Sequence, residues 1–259
     1  MNLKLTSLLL VSLAPFLGQA ADTPLGDKLV LELTFDQPGE AGTVMLDAEQ
    51  KPADLRGAEG SGLGAGRPFD NTAALGMGGN NKNPGSGPQL KLDKGSELVA
   101  GAKSFTLQGW YRTETGQTPG NYARLFATAR VTCNFDNKDG RGLSISINKE
   151  AALCPDGAFR TADEWTFFAL TYDGTKTTDN LLFYVGSQSE PVRLVARLNL
   201  PAGTVYESGS NQPLTVGNLP SGDRPFDGLL DNFRLWVDKS GAGAVLNESQ
   251  LEQVRKSDH

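Results

Sequence analysis

Short stretches in which hydrophobic and polar residues alternate recur along most of this chain, and they predict β-strands. Successive side chains of a strand point to opposite faces, so a period of two residues marks one buried and one solvent-facing side. The stretches are separated by segments containing Gly, Pro, Asn or Asp, which favour turns. The predicted strands lie at residues 29–35, 89–92, 104–112, 122–131, 143–147, 165–172, 181–186, 192–195, 214–217 and 229–237.

Other regions lack sustained alternation. Residues 40–66 are polar and rich in Gly and Ala, so we expect a long, loosely ordered loop there. Residues 80–88 and 134–140 have the Asn, Asp and Gly content of surface turns, while residues 73–80 are expected to hold a short strand followed by a turn. These regions are therefore interpreted mainly as connections between the strands.

The last predicted strand carries a carboxylate among apolar residues. Its alternation places Asp231 on the same face as Phe233 and Leu235, with Arg234 and Trp236 on the opposite face. Burying a carboxylate without a partner is costly, so Asp231 requires backbone donors, a cation or a metal ion nearby. We expect this strand to close a β-sandwich.

One helix is indicated near the end of the chain. Asn247 is a good N-cap, Gln250 stands at the third helical position, and Leu246 is placed to pack on Leu251. The helix is expected from residue 248 to residue 255. The chain shows no internal repeat and no linker long enough to separate two domains, so residues 21–259 are predicted to form a single all-β domain with a short C-terminal helix.

The first 20 residues have the pattern of a secretory signal peptide. Lys4 precedes an apolar segment at residues 8–17, and small residues stand at Gly18 and Ala20 before the expected cleavage site. A membrane anchor is the alternative, but the apolar run is about half of the ~20 residues that a bilayer requires. The mature protein is therefore expected to be secreted or periplasmic, with no transmembrane segment after cleavage.

The net charge and the histidine and cysteine content of the chain argue against several classes of function. The formal net charge of −6 argues against nucleic acid as a partner. The single histidine is His259, at the chain end, which argues against histidine-based catalytic triads and zinc sites. In an oxidising compartment Cys133 and Cys154 are expected to form a disulfide, and two separate thiols are the alternative.

Five motifs, in order along the chain, resemble the laminin-G-like branch of the concanavalin A-like lectin/glucanase superfamily, particularly its secreted bacterial members. Together they span nearly all of the expected mature chain. The resemblance implies a jelly-roll sandwich of two antiparallel sheets that binds carbohydrate or protein, often with a structural calcium ion. The motifs are Leu-Thr-Phe-Asp at residues 33–36, Ser-Phe-Thr-Leu-Gln-Gly-Trp at 104–110, the aromatic stretch at 164–174, Phe-Tyr-Val-Gly at 183–186 and the segment at 226–248.

The same resemblance suggests where calcium would bind. Asp36 and Asp231 fall where this family places side-chain oxygens, between the first and last strands. Calcium takes six to eight oxygen ligands, many of them backbone carbonyls, so two carboxylates are compatible with a site. The alternative is that Asp36 caps a turn and Asp231 accepts backbone hydrogen bonds.

Aromatic side chains are the candidate ligand-binding residues, because rings exposed on a sheet stack on sugar rings. The alternative for each ring is a place in a second layer of the core. Enzymatic activity is not expected, because the Glu-x-Asp-x-x-Glu run of retaining glucanases and the histidine of similar lyases are both missing. We expect a non-catalytic domain that binds carbohydrate or an extracellular protein; a polysaccharide hydrolase or lyase, and a structural or adhesive envelope module, are the alternatives. The candidate rings are Trp110, Tyr111, Tyr122 and Trp236.

Overall fold

The computed structural model describes residues 26–37, 40–46, 49–54, 62–65, 73–76, 89–113, 122–136, 142–155, 157–159, 163–209 and 211–258. The predicted signal peptide at residues 1–20 and the predicted turn at 80–88 lie outside these ranges. Within them the α-helix α1 spans Glu248–Ser257. The strands are β1 (Leu29–Gln37), β2 (Glu40–Leu46), β3 (Glu49–Asp54), β4 (Gly62–Ala65), β5 (Ala73–Gly76), β6 (Leu90–Leu92), β7 (Ser104–Thr113), β8 (Arg124–Ala127), β9 (Val131–Asp136), β10 (Gly142–Ile147), β11 (Glu150–Leu153), β12 (Thr166–Asp173), β13 (Leu181–Ser187), β14 (Arg193–Leu198), β15 (Leu214–Val216) and β16 (Gly228–Asp238).

The described strands form two antiparallel sheets. The larger sheet has the order β14-β13-β12-β7-β16-β1-β2-β3, with β5 also paired to β16 and β4 to β5. The smaller sheet has the order β11-β10-β9-β8-β15-β6. The predicted two-sheet antiparallel jelly-roll sandwich with a C-terminal helix is therefore confirmed. As expected, the first strand β1 pairs with the last strand β16.

Aromatic rings fill the space between the two sheets. Phe233 of the larger sheet stacks on Phe126 of the smaller one, with ring centroids 6.1 Å apart, and also contacts Phe168 at 5.7 Å. Phe35 and Phe233 are both fully buried in the same core cluster. These rings remove a large apolar area from water, which is the main force holding the two sheets together.

A bulge in β16 changes which side chains face the core. Asp231 lies opposite Trp110, but the register with β7 shifts between Asp231 and Arg234, where Asn232 has a φ of 43°. The extra residue reverses the alternation, so Leu230 faces the core before the bulge and Phe233 faces it afterwards. The prediction that Asp231 and Phe233 share one face is wrong, because it assumed an unbroken period of two.

The predicted loop at residues 40–66 is also wrong, since β2, β3 and β4 lie within it. β2 pairs with β1, and Val44 is buried in the core. At Gly42 a β-carbon would lie 2.0 Å from the Glu32 carbonyl oxygen, at a φ of 152°. Glycine is therefore required there to let β2 approach β1. The weak hydrophobic pattern hid a segment whose structure depends on pairing with a distant strand.

The predicted disulfide between Cys133 and Cys154 is absent, because β10 lies between the two residues. Cys133 pairs with Ile145 on one side of β10, whereas the Cys154 N–H donates to the Leu143 carbonyl on the other side. Two strand spacings amount to about 9–10 Å, more than the ~7 Å limit on the Cα separation in a disulfide. Both cysteines are buried, and burial raises the pKa of the Cys133 thiol well above its ordinary value. The sequence prediction failed because β9 and β11, which carry or precede these cysteines, were not recognised as flanking strands.

Helix α1 begins where the sequence predicted. The Asn247 side chain accepts a hydrogen bond from the Gln250 N–H (3.0 Å), and the Gln250 side chain accepts one from the Asn247 N–H (2.9 Å). This reciprocal pair confirms the capping interaction. The helix packs on the outward side of the larger sheet, where Leu246, Leu251 and Val254 are buried. Among the described residues, no helix has the length and apolar character needed to cross a bilayer.

Two carboxylates that secure this end of the fold make its stability depend on pH. Hydrogen bonds from Arg255, with a further bond from the Val192 N–H, lower the pKa of Glu252 from 4.5 to about 2. The Ser240 hydroxyl and amide lower the pKa of Asp238 from 3.8 to about 2. A depressed folded-state pKa stabilises the protein above the unfolded-state value, and this contribution is lost as the pH falls through the folded-state value.

We expect the free energy of unfolding to fall as the pH is lowered from about 4.5 to about 2. The Glu252→Gln variant should reduce this fall by on the order of 1 kcal/mol, since solvent screens the partly exposed pair. Urea unfolding at several pH values measures the effect. Glu150→Gln, at an exposed residue of β11, is the matched control and should keep the wild-type slope. An unchanged slope for Glu252→Gln contradicts the assignment.

Candidate functional site

Two of the four candidate rings lie beneath helix α1. Trp110 and Trp236 do point to the outward side of the larger sheet, but both are fully buried in the cluster that α1 forms there. The Trp110 Nε1–H donates to an Asp258 carboxylate oxygen at the end of the helix (2.7 Å). Neither ring has a surface available for stacking on a sugar from solvent. Their predicted role as exposed ligand-binding residues is therefore wrong.

Tyr111 faces the opposite way, into the core between the sheets. It is fully buried, and its ring meets that of Phe135 edge-on with centroids 5.1 Å apart. Its hydroxyl donates to the Phe159 carbonyl oxygen (3.0 Å). A buried tyrosine whose hydroxyl finds such an acceptor is a core residue, so the prediction of an exposed ligand-binding role is wrong for Tyr111 as well.

Tyr122 is the candidate ring that remains exposed. It lies two residues before the start of β8 and keeps 43% of its surface accessible. The Arg224 guanidinium lies over the ring, 5.1 Å from its centroid, which holds one face of the ring through a cation–π contact. Its ligand-binding role stays a prediction, and the surroundings of this residue define the candidate site.

An outward-facing row of side chains crosses the smaller sheet next to Tyr122. Strand pairing aligns Arg124 with Asn134, Asn134 with Ser144, and Ser144 with Leu153. These four residues, called the outer row below, share one face because directly opposed residues in a sheet point the same way. Their alternation partners Cys133, Leu143 and Ile145 are in the core. Three strand spacings give the outer row a length of about 14 Å.

The outer row has a polar, shielded centre and exposed ends. Asn134 and Ser144 are each only 7% accessible, whereas Leu153 is 44% accessible. The Asn134 amide donates to the Phe135 carbonyl (3.0 Å) and the Ser144 hydroxyl to the Ala152 carbonyl (3.2 Å). These bonds fix the two side chains in place. Amide and hydroxyl groups held in this way can exchange hydrogen bonds with a polar ligand.

Two arginines concentrate positive charge at the Tyr122 end of the row. The Arg124 N–H donates to the Arg224 carbonyl oxygen (3.0 Å), which places the two residues side by side. Burial lowers the pKa of the Arg124 guanidinium, and the neighbouring Arg224 lowers it further, against an opposing influence of Cys133. The guanidinium is protonated at neutral pH all the same, so this end of the site attracts anions.

The calcium prediction at Asp36 and Asp231 stays a prediction. Their strands are neighbours, but Asp36 is exposed while Asp231 is fully buried. One Asp231 oxygen accepts a hydrogen bond from the Asn232 N–H (2.8 Å). Among the described residues, no group of three or more His, Cys, Asp or Glu side chains is arranged to hold a metal ion.

Sequence reasoning identified Tyr122 and missed the rest of the site. A usable signal was present in residues 131–135, where Val131, Cys133 and Phe135 alternate with polar residues. That alternation places Asn134 on an outward face. Arg224 lies about 100 residues from Arg124 in sequence, and only the fold brings the two together.

Comparisons with known proteins agree with this architecture. Domain 4 of AbnA, a GH43 extracellular arabinanase from Geobacillus stearothermophilus, solved in complex with arabinotriose, is 17% identical, with a TM-score of 0.52 over 88% of this chain and 98% of that one. A structure described as the receptor binding domain is 10% identical with a TM-score of 0.52; the match covers 90% of this chain and 51% of that one. At these identities the likeness shows the fold alone.

Comparison with curated protein sequences gives no match. A laminin-G family model, described as belonging to the concanavalin A-like lectin/glucanases superfamily, matches residues 84–242. The matched region contains strands of both sheets and the whole outer row. With more than half of the sequence matched and the two-sheet topology in agreement, the chain belongs to the concanavalin A-like lectin/glucanases superfamily.

Proposed function

We propose that this protein is a non-catalytic, exported domain that binds carbohydrate on the outward face of its smaller sheet. The observation that carries the proposal is the outer row, a line of fixed polar groups with the exposed Tyr122 ring at one end. Sugar-binding sites combine an aromatic surface for the ring with a few placed polar groups for the hydroxyls. Helix α1 covers part of the corresponding face of the larger sheet, which favours the smaller sheet as the binding face.

The fold relatives are compatible with this role. The arabinanase domain that shares the fold was solved with arabinotriose bound, and the superfamily includes lectins. Fold likeness alone does not assign a function. The proposal therefore rests on the chemistry of the outer row, and export rests on the signal sequence predicted at residues 1–20.

A polysaccharide hydrolase of the same fold is the alternative. Hydrolysis of a glycosidic bond requires two carboxyl groups about 5–10 Å apart across the substrate. The outer row contains Arg124, Asn134, Ser144 and Leu153, and thus no carboxylate; Asp136 lies on the same strand face as Asn134. This composition favours binding over hydrolysis. Incubation of the protein with a bound glycan, followed by analysis of reducing ends, should show no cleavage.

We expect Tyr122→Ala to weaken glycan binding about five- to tenfold, because a ring contact contributes on the order of 1 kcal/mol. A glycan array identifies the ligand, and titration calorimetry with that ligand measures the affinity. Tyr206→Ala is the matched control: Tyr206 is 59% exposed, but it lies at the far end of the strands, where its N–H bonds to Asn148. Equal losses in both variants, or none in Tyr122→Ala, contradict the proposed face. Repeating the titration in calcium and in EDTA tests the predicted calcium ion.

A further inference from the structure

We propose that the site takes a glycan bearing a carboxylate group, and that Arg124 and Arg224 bind that carboxylate. This inference rests on the proposed carbohydrate-binding function and specifies the class of ligand. It is carried by the juxtaposition of two arginine side chains at one end of the outer row, neither of which forms an ion pair with a carboxylate among the described residues. The sugar ring that bears the carboxylate would lie against Tyr122, and the remaining sugar units of the glycan would lie along the outer row.

The buried arginines elsewhere in the protein show how this fold ordinarily neutralises a guanidinium group. Arg234 bonds Glu32 and Asp258, each at 2.7 Å, and Arg255 bonds Glu252 through two nitrogens at 2.8 Å. Burying a cation is costly unless it is paired in this manner. Arg124 and Arg224 differ: among the described residues no carboxylate oxygen lies within 4.0 Å of either guanidinium group.

The Nε–H group of Arg124 is a hydrogen-bond donor without an acceptor. Its Nε atom is buried and makes no hydrogen bond, and its Nη1 bonds only to the Tyr122 carbonyl at the long distance of 3.5 Å. Buried polar groups are nearly always hydrogen-bonded, and leaving one without a partner is costly. Placing a second arginine alongside adds repulsion between like charges. An anionic ligand would relieve both effects at once.

The geometry of a guanidinium group favours a carboxylate as that anion. Its planar fork of N–H donors matches the two oxygens of a carboxylate and binds them through parallel hydrogen bonds. Arg224 is exposed and lies over the Tyr122 ring, so it is accessible from solvent. Asn134, beside Arg124, offers a neutral amide for the sugar hydroxyls.

Two arginines lie side by side at this end of the outer row, although the protein as a whole is acidic. The whole chain carries a formal charge of −6, so a pair of arginines is not explained by a generally basic surface. Asp136 is the acidic residue that shares the outward face of β9 with Asn134. The two guanidinium groups attract an acidic sugar.

The test uses the full mature chain and three oligosaccharide probes. The first is an oligomer of hexuronic acid, the second is the same oligomer with its carboxyl groups reduced to alcohols, and the third is a sulfated neutral oligomer. Titration calorimetry compares the wild type with Arg124→Gln, Arg224→Gln and the control Arg130→Gln. Arg130 lies at the far end of the strands, where its Nε donates to the Glu207 carbonyl (3.1 Å). Thermal melts verify folding, and Arg224→Gln, at an exposed residue, should fold normally.

We expect the wild type to bind the hexuronate oligomer and each site variant to bind it about 10- to 100-fold more weakly. The affinity of the wild type should fall as salt is added. Arg130→Gln should bind with wild-type affinity. The reduced oligomer should bind at least tenfold more weakly than the acidic one. Preference for the sulfated oligomer, or equal binding of the acidic and reduced oligomers, overturns the inference. If neutral glycans bind through Tyr122 while both arginine variants retain wild-type affinity, the proposed function stands and this inference fails. If no glycan on an array binds, both fail.

Discussion

Replacing Asp258 by alanine is expected to lower the free energy of unfolding by about 3–5 kcal/mol, because it removes one partner of a buried ion pair. The Asp258 side chain is fully buried and accepts hydrogen bonds from Arg234 Nη1 and Trp110 Nε1, both at 2.7 Å. In the variant, Arg234 would retain Glu32, whose side chain is 31% exposed, as its charged partner, together with a hydrogen bond to the Asn232 side-chain oxygen (3.4 Å). Trp110 would also lose a buried acceptor.

The position of Asp258 indicates that its contacts with Arg234 and Trp110, and not an interaction with the helix dipole, account for its contribution to stability. A carboxylate at the C-terminal end of a helix opposes the helix dipole, and Asp258 caps that end of α1. Its stabilising role therefore comes from joining the helix to β7 and β16. Urea unfolding followed by tryptophan fluorescence and by circular dichroism measures the change in free energy.

Two further variants distinguish the destabilisation caused by an unpaired buried charge from the destabilisation caused by the loss of side-chain atoms. Glu32→Ala removes the more exposed partner of Arg234 and should cost about 1 kcal/mol. The double variant Arg234→Met/Asp258→Leu removes both charges from the buried pair and should recover much of the loss, as hydrophobic replacements of buried pairs often do. A loss below 1 kcal/mol in Asp258→Ala, or a double variant that is less stable than Asp258→Ala, contradicts the explanation.

The sheets could be predicted because local sequence determines much of their structure. Residues 143–147 alternate strictly and form β10 at residues 142–147, and the capping residues Asn247 and Gln250 fix the start of α1. Both signals act over a few residues. The pairing of β1 with β16 followed from the resemblance between the motifs and a known fold.

The faces of β16 could not be predicted, because a single backbone conformation reverses them. Asparagine tolerates a positive φ better than most residues, but one asparagine within a strand-forming run does not by itself predict the φ of 43° that Asn232 adopts. The bulge moves Asp231 to the outward side, opposite Trp110. Bulges arise from the pairing of two strands and leave little trace in either strand alone.

The candidate site shows the same division between local and tertiary information. The outward orientation of Trp110 and Trp236 follows from alternation, but their burial depends on α1, which packs on them from more than ten residues further along the chain. Tyr122 is 43% exposed, and none of the elements in the described part of the chain covers it as α1 covers the two tryptophans. Periodicity therefore predicts which face a ring occupies, whereas the docking of other elements decides whether that face reaches solvent.

Phe233→Ala is expected to lower the free energy of unfolding by about 3–5 kcal/mol, because the ring contacts both sheets and its loss leaves a cavity between them. Phe233 is fully buried, stacks on Phe126 at 6.1 Å and contacts Phe168 at 5.7 Å. Phe233→Leu keeps part of the volume and should cost about half as much. Urea unfolding at neutral pH measures both variants, and a loss below 1 kcal/mol for Phe233→Ala would show that the rings do not join the sheets.

Gly109 provides an internal check on the same contact. A β-carbon at Gly109 would lie 2.7 Å from Cδ2 of Phe233 and 3.0 Å from Cε1 of Phe168, so Gly109→Ala should destabilise the wild type by about 1–3 kcal/mol through overpacking. In the Phe233→Ala background the closer of these two atoms is gone, and the added methyl group partly fills the cavity. The double variant should therefore be more stable than the sum of the two single losses predicts, by at least 1 kcal/mol. Strict additivity would mean that Gly109 and Phe233 do not share this space, because residues in direct contact couple energetically and distant ones do not.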